Sequence, residues 1–375
     1  MRKVIVAADS FKDSLDAPGV CSAIARGLRK GLPGWEVLKI PLADGGEGTA
    51  KILGGYTGAA WKAVKVRDPL FRIISAGFAW SAETRTAFVD MASCSGIQLL
   101  KNSERNPMLT STIGLGDLLM EIARYDPERV VLGIGGSATN DGGIGMASVL
   151  GYQFLDQQGN SLEPIGASLE KIDRIIPPEK YVWSPQVRIE VLVDVQNLLF
   201  GPNGAAYVFA PQKGADILMV QSLDRGLRNL SKRLQLDLDY DLSQQEGAGA
   251  AGGLGAGLLA FANAKLRPGI QSVLEILRFE EHLIGANFLI TGEGKIDEQT
   301  ASGKLISGVC DLAAKHQVPV IALCGTLLAS EESIQQLGLK AAFSIIKQPM
   351  SLEQALEQGE KLLEATAFQI ANLLA

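Results

Sequence analysis

In five segments of the chain an apolar run ends and is followed at once by Gly, Ser, Thr, Asn or acidic residues, the place where open α/β sheets bind ligands. The first is Asp9-Ser10-Phe11-Lys12-Asp13-Ser14. Asp9, Ser10 and Lys12 suit a phosphate or carboxylate ligand, although the same residues could serve as a helix cap with a solvated lysine. The second is Asp44-Gly45-Gly46-Glu47-Gly48-Thr49. Asp44 and Glu47 could hold Mg2+ or its waters, because that ion takes one or two carboxylates and leaves its remaining positions to substrate oxygens. Gly45 and Gly46 would let the backbone approach a phosphate; a simple turn before a helix needs fewer glycines.

The third segment, Gly133-Ile134-Gly135-Gly136-Ser137-Ala138-Thr139-Asn140-Asp141-Gly142-Gly143, follows the apolar run Val130-Val131-Leu132 and precedes a helix expected from Met146. Gly135, Gly136, Ser137, Thr139 and Asn140 are the expected anion cradle, with free N–H groups and a partial positive charge of about half a unit at the helix start. No G-K-[ST] follows, so the segment is not a Walker A loop. The fourth ends a strand at Asp194, followed by Asn197. Asp194 could accept a hydroxyl proton, hold a metal, or cap the turn that leads to Gly201. Asn197 is a substrate-binding candidate and Lys213, in Pro211-Gln212-Lys213-Gly214, a phosphate contact. The fifth is Thr291-Gly292-Glu293-Gly294-Lys295, with Lys304 opening the next helix. Gly292, Lys295 and Lys304 are expected to meet substrate or phosphate and Glu293 a metal, unless the charges form a solvated loop.

One pattern is a decoy. Gly247-Ala248-Gly249-Ala250-Ala251-Gly252 satisfies G-x-G-x-x-G, with Glu275 further along. The stretch before it, Leu236 to Leu242, alternates apolar and polar residues, whereas a buried Rossmann strand reads as a continuous apolar run. The run is read as a close-packed glycine/alanine helix start.

Positioning these groups requires a large core. With 375 residues, 47% hydrophobic and 20% charged, the chain suits about two globular domains and excludes disorder. Its 42 glycines exceed the roughly 26 of average usage and show no collagen period. A net charge of −6 with scattered lysines and arginines opposes a nucleic-acid footprint. Two histidines make histidine chemistry improbable, and four scattered cysteines without C-x-x-C read as reduced thiols. No run of eighteen apolar residues and no signal peptide are found, so a cytoplasmic protein without a membrane partner is expected.

Strand and helix alternate at both ends of the chain: Val4 to Ala8, a helix through Val20, Ile24 and Leu28, Val37 to Leu42, then Phe288 to Thr291, a helix 303–316, Val318 to Cys324, a helix near Glu331, Ala342 to Ile346, and a long helix Leu352 to Leu374. That alternation predicts a parallel sheet covered on both faces. The middle of the chain, with shorter strands and Pro-marked turns, reads as an insertion. The expected organisation is a discontinuous Rossmann-like domain, 1–62 with 280–375, carrying an inserted α/β domain, 63–279. Two connections would favour a hinged interdomain cleft as the active site.

Together the motifs resemble the bacterial glycerate kinases of the first type, which make 2-phosphoglycerate. The resemblance runs through Ala8-Asp9-Ser10-Phe11-Lys12, Ala43 to Thr49, Gly133 to Gly143, Phe209-Ala210-Pro211-Gln212-Lys213-Gly214-Ala215, Gly247 to Gly257 and Thr291-Gly292-Glu293-Gly294. It implies ATP, Mg2+ and D-glycerate, in-line phosphoryl transfer to the 2-hydroxyl, and a monomer or homodimer. Within it, Asp194 would orient or deprotonate the hydroxyl, Lys12 and Lys213 would stabilise the moving phosphoryl group, and Asp44, Glu47 or Glu293 would hold Mg2+. Three positions depart from the family pattern: Asp13 where glycine is usual, and Leu198 and Ile306 where proline is usual. A kinase of the 3-hydroxyl or of a related hydroxy acid, and a non-catalytic small-anion-binding regulatory module, are the alternatives.

Overall fold

Short buried apolar runs supply the strands, and amphipathic helices cover them. In the computed structural model, residues 2–298 and 304–375 are described. β1 (Lys3–Val6) and β2 (Glu36–Lys39) come first. The middle of the chain holds β3 (Ala60–Arg67), β4 (Ile73–Ser81), β5 (Thr86–Asp90), β6 (Arg129–Gly133), β7 (Gln153–Leu155), β8 (Arg174–Ile176), β9 (Arg188–Leu192) and β10 (Lys265–Arg267). β11 (Phe288–Ile296), β12 (Val320–Leu327) and β13 (Ala341–Ser344) follow.

Two compact units result, Met1–Asp44 with Ile270–Ala375, and Gly45–Gly269. The sequence-based borders at 62/63 and 279/280 fall later than these. The reason is local: helix Thr49–Tyr56 packs on β3, β4 and β5 and therefore joins the second unit.

The first unit is built on a parallel sheet ordered β13-β12-β11-β1-β2. Counted within the unit, this is the doubly wound order 2-1-3-4-5, whose winding reverses between β1 and β11. Helix Ala17–Gly31 starts where the Asp16 carboxylate accepts the Gly19 N–H at 2.9 Å, with a proline in its first turn. Its face of Val20, Ile24 and Leu28 is buried with Val4 and Val6 and with Leu363 and Ile370 of helix Leu352–Leu374. That last helix opens on a Ser351/Gln354 capping box.

The second unit carries a six-stranded sheet ordered β10-β9-β6-β5-β4-β3. β5, β6, β9 and β10 run parallel, and β3 and β4 add an antiparallel margin. Phe78, Val89, Leu115, Leu132 and Val191 form part of one core beneath it. β7 and β8 make a separate two-stranded ribbon. Leu236 to Leu238 close the 22-residue helix Ile217–Leu238, which Asp239 caps in the left-handed region, and residues 239–242 belong to neither helix nor strand.

Candidate active site

In the second unit the carboxyl ends of β5, β6 and β9 lie side by side, and the segment after β6 is the centre of the arrangement. Lys213, only 2% exposed, donates from Nζ to the Ser137 hydroxyl and to the Thr139 carbonyl, each at 2.7 Å. Burial pulls its ammonium down to about 7, and the nearby Asp141 opposes that shift. Two of its three N–H donors are thus spent on the loop. The lysine expected to touch phosphate is in the first place a brace for the segment that would do so.

Asp141 is fully buried and was absent from the residues singled out as a site. Its Oδ2 accepts the Thr112 N–H at 2.7 Å, the Thr112 hydroxyl at 2.8 Å and the Gly145 N–H at 3.1 Å, and Oδ1 accepts the Gly143 N–H at 3.2 Å. The Thr112 hydroxyl accepts the Met146 N–H at 3.0 Å. Burial raises the Asp141 carboxyl, and these donors work against the shift. A consequence follows for the anion cradle: the N–H groups at the start of helix Ile144–Val149 are occupied by Asp141 and Thr112. Those of Gly135, Ala138 and Gly142 go to Gly45, Ser95 and Gly252 carbonyls. The cradle contracts to Gly136, Ser137, Thr139 and Asn140.

Asn140 marks the spot within that shorter stretch. It is 0% exposed, yet among the described residues neither Nδ2 nor Oδ1 has a hydrogen-bond partner, and the same holds for the Thr139 hydroxyl. A buried amide without partners costs roughly 1–3 kcal/mol, so its retention calls for a reason beyond folding.

Most of the glycines here have a packing purpose. A methyl at Gly133 would stand 2.5 Å from the Gly45 carbonyl, one at Gly135 2.8 Å from the Gly46 Cα, and one at Gly257 2.5 Å from the Gly142 carbonyl. The segments 45–46, 133–135, 142–143 and 252–257 therefore touch backbone to backbone. Asp90, also missed in the sequence, secures this layer by accepting the Gly48 N–H at 3.0 Å and the Ala50 N–H at 2.9 Å. Its carboxyl is pushed up to about 7, chiefly by burial, with Glu47 adding to the rise. Glu47 itself is exposed.

At the end of β9, Asp194 Oδ1 accepts the Gly269 N–H at 3.0 Å, which orients the carboxylate. Asn197 donates from Nδ2 to the Asn203 carbonyl at 2.8 Å, and its own carbonyl takes the Gly249 N–H at 3.0 Å. It braces two turns.

In the first unit, Asp9 follows β1, and its N–H bonds the Gly292 carbonyl at 2.9 Å. Its carboxylate accepts the Ser10 N–H at 2.6 Å. Burial, and then repulsion by Asp44, lift the Asp9 carboxyl to about 7. Ser10, Lys12 and Asp44 are exposed. Asp13 has a φ of +63°, the left-handed backbone that explains the usual glycine; among the described residues no ion pair joins it to Lys12. The fifth segment differs from its sequence reading: Gly292, Glu293 and Lys295 lie inside β11, which continues to Ile296 beside β12. Gly292 sits opposite Leu323, whose carbonyl a methyl would meet, so glycine here extends the strand and does not end it. Lys295 pairs with Asp297 at 2.6 Å. Lys304 opens helix Lys304–Lys315, but its side chain, like residues 299–303, lies outside the described residues.

Asp44 and Glu293 belong to the first unit and Glu47 to the second, and no group of three or more His, Cys, Asp or Glu that could hold a metal occurs among the described residues. A magnesium ion bound here would rely on one or two carboxylates and on substrate oxygens.

Comparison with known proteins places this arrangement. The glycerate kinase family profile matches residues 4–375. The chain is 42% identical over 371 residues to a glycerate kinase of Halalkalibacterium halodurans, covering 99% of this chain and 98% of that one. It is 38% identical over 376 residues to the glycerate 2-kinase of Escherichia coli, covering 100% and 98%. A crystal structure described as a glycerate kinase 2 from Salmonella typhimurium superposes with a TM-score of 0.85 at 39% identity, covering 100% of this chain and 98% of that one. Full-length matches at these identities, on a doubly wound sheet with an inserted α/β unit, make the chain a phosphotransferase of the glycerate kinase family.

Proposed function

We propose that the chain transfers the γ-phosphoryl group of ATP to the 2-hydroxyl of D-glycerate, giving 2-phosphoglycerate, in the cytoplasm. The single observation that carries the site assignment is Asn140: a buried amide with no hydrogen-bond partner among the described residues, on a loop held by Lys213 and Asp141. A polar, multiply oxygenated anion supplies what that amide lacks, an acceptor for Nδ2 and a hydroxyl for Oδ1.

Phosphoryl transfer depends mainly on positioning and charge stabilisation. The Gly136 to Asn140 stretch holds an anion, and Lys213 keeps Ser137 and Thr139 in place beneath it. Asp194, oriented through Gly269, accepts the proton of the substrate hydroxyl. In the first unit, Lys12 and Ser10 meet a phosphate or carboxylate, and Lys295 and Lys304, from the C-terminal part of the same unit, are further phosphate contacts. The carboxylates there fit a hard cation, since Asp9 and Asp44 repel each other. Asp44 or Glu293, or Glu47 in the second unit, would hold Mg2+, which when bound neutralises phosphate oxygens.

The test is ADP release measured with D- and L-glycerate separately, followed by NMR of the product. The reading requires D-glycerate-dependent ADP release and a phosphate on carbon 2. Phosphate on carbon 3 would replace it with a 3-kinase, and binding without ADP release would replace it with a sensor of small anions.

A further inference from the structure

The second unit contains a cavity of about 650 Å3 that the kinase chemistry leaves unexplained. Its position is set by two helices and a strand. Helix Ile144–Val149 leaves the glycine-rich loop and ends at Leu150 in the cavity wall. Helix Ala250–Ala262 ends there as well, at Ala262 and Asn263. Val187, another lining residue, immediately precedes β9, whereas Asp194 follows the opposite end of that strand. The five residues of β9 and Val193 separate them, about 23 Å of extended chain. The cavity thus opens at the amino end of a strand whose carboxyl end carries the candidate catalytic acid.

The lining has a definite chemistry. Tyr152 packs on Phe261 with ring centroids 4.9 Å apart at 60°, and on Tyr181 at 6.5 Å and 64°. Tyr240 and Trp183 complete the aromatic wall. The indole Nε1 of Trp183 is buried and has no hydrogen-bond partner among the described residues. Lys180 is the single charged residue among those lining the cavity, and it is exposed. Burial, reinforced by Tyr181 and Tyr240, raises the Tyr152 phenol, which stays neutral. Flat aromatic surfaces, one donor without an acceptor and one cation at the rim specify the ligand. The volume lies within the range of small-molecule sites, roughly 300–1,000 Å3.

We propose that this cavity is a second small-molecule site that takes a planar aromatic acid, its ring between the tyrosines, Phe261 and Trp183, its acceptor on Trp183 Nε1 and its anionic group toward Lys180. The site is independent of the phosphoryl-transfer reading, and so is its test. 8-Anilino-1-naphthalenesulfonate, a planar aromatic anion, is titrated into the full-length folded protein and followed by fluorescence. A single saturable site is expected, unaffected by millimolar ATP or D-glycerate. Trp183→Phe keeps the ring but removes the N–H and should weaken binding about fivefold, the worth of one ordinary hydrogen bond. Lys180→Gln, an exposed substitution that leaves the fold intact, should weaken it about threefold. Both variants should keep their ADP-release activity. Displacement of the dye by ATP or glycerate, binding without saturation, or unchanged affinity in both variants would overturn the proposal.

Discussion

The Lys213 ammonium and the Ser137 hydroxyl, 76 residues apart in sequence, meet at 2.7 Å inside the second unit. The same nitrogen holds the Thr139 carbonyl, so a single buried side chain fixes both flanks of Ala138. The loop after β6 is therefore shaped by a lysine from a distant 3-10 turn, Pro211–Lys213. Lys213→Met keeps the length and apolar stem but removes both bonds. Because the amine is buried at a cost, the substitution should change Tm little, while kcat/KM for glycerate falls by about tenfold or more through loss of loop geometry. Steady-state kinetics beside a thermal melt checks this; full activity would remove Lys213 from the working site.

Asn140 separates ligand binding from folding most sharply. Its amide is buried without partners, so Asn140→Leu, of similar shape, removes an unmet polar group. Stability should stay the same or rise by about 1 kcal/mol. Activity should fall by about a hundredfold if the amide binds substrate, the scale seen when one aligned donor is deleted. Opposite signs for stability and activity are the signature, read from a melt and an ADP-release assay. A loss of both would make Asn140 a structural residue.

The sequence carried the architecture further than the site. Apolar runs such as Val4-Ile5-Val6 and the 3.6-residue pattern of helix Leu352–Leu374 depend on local periodicity, which needs no knowledge of partners. In the sequence Gly292 marks the end of a strand because glycine usually breaks one; in the fold the close approach of Leu323 across the sheet demands it. Lys213 presents the same difficulty in another form. A lysine in a glycine- and proline-marked turn after a strand reads as a phosphate contact, and only tertiary packing shows its amine bonded to a loop 74 residues away. Asp90 and Asp141 were equally hidden, since their acceptor roles toward Gly48, Ala50 and Thr112 arise from chain crossings. The three consecutive hydroxyl residues Thr110-Ser111-Thr112, all buried, were the one local signal available.

Asp194 accepts the Gly269 N–H, and an amide oxygen can do the same. Asp194→Asn should accordingly preserve Tm yet lower kcat by at least about a hundredfold, the lower end of a general-base contribution. Near-normal turnover would confine Asp194 to anchoring Gly269.

Asp9 gives a pH dependence with a definite sign. Its carboxyl is raised to about 7 by burial and by Asp44, against 3.8 ordinarily. Between these values the folded state binds more protons than the unfolded one, so this group's contribution to stability is lost as pH rises through 7. Asn mimics the protonated form. Asp9→Asn should raise Tm by about 2–5 °C at pH 8, where the native acid is charged and the whole penalty has accrued, and by only about a third of that at pH 5, part of the way from 3.8 to 7. Equal melting shifts at the two pH values would contradict the assigned cause.

The glycine surplus makes the last prediction, because two glycines in the same unit should answer the same substitution in opposite ways. Gly55 lies within helix Thr49–Tyr56 and nothing stands within 4 Å of the place a methyl would occupy. Gly55→Ala should stabilise the protein by about 0.5–1 kcal/mol through helix propensity and a less free unfolded chain. Gly252 has a φ of +70°, and its added methyl would fall on the Thr139 carbonyl and 2.6 Å from the Asn140 Cα. Backbone there cannot retreat without displacing the loop that Lys213 holds. Gly252→Ala should cost about 2–4 kcal/mol and lower kcat/KM as well, because the strain is delivered to Thr139 and Asn140. Melting curves and ADP release on the two variants decide the point. A neutral Gly252→Ala would mean that the close backbone contact between residues 252 and 139–140 does not govern the loop.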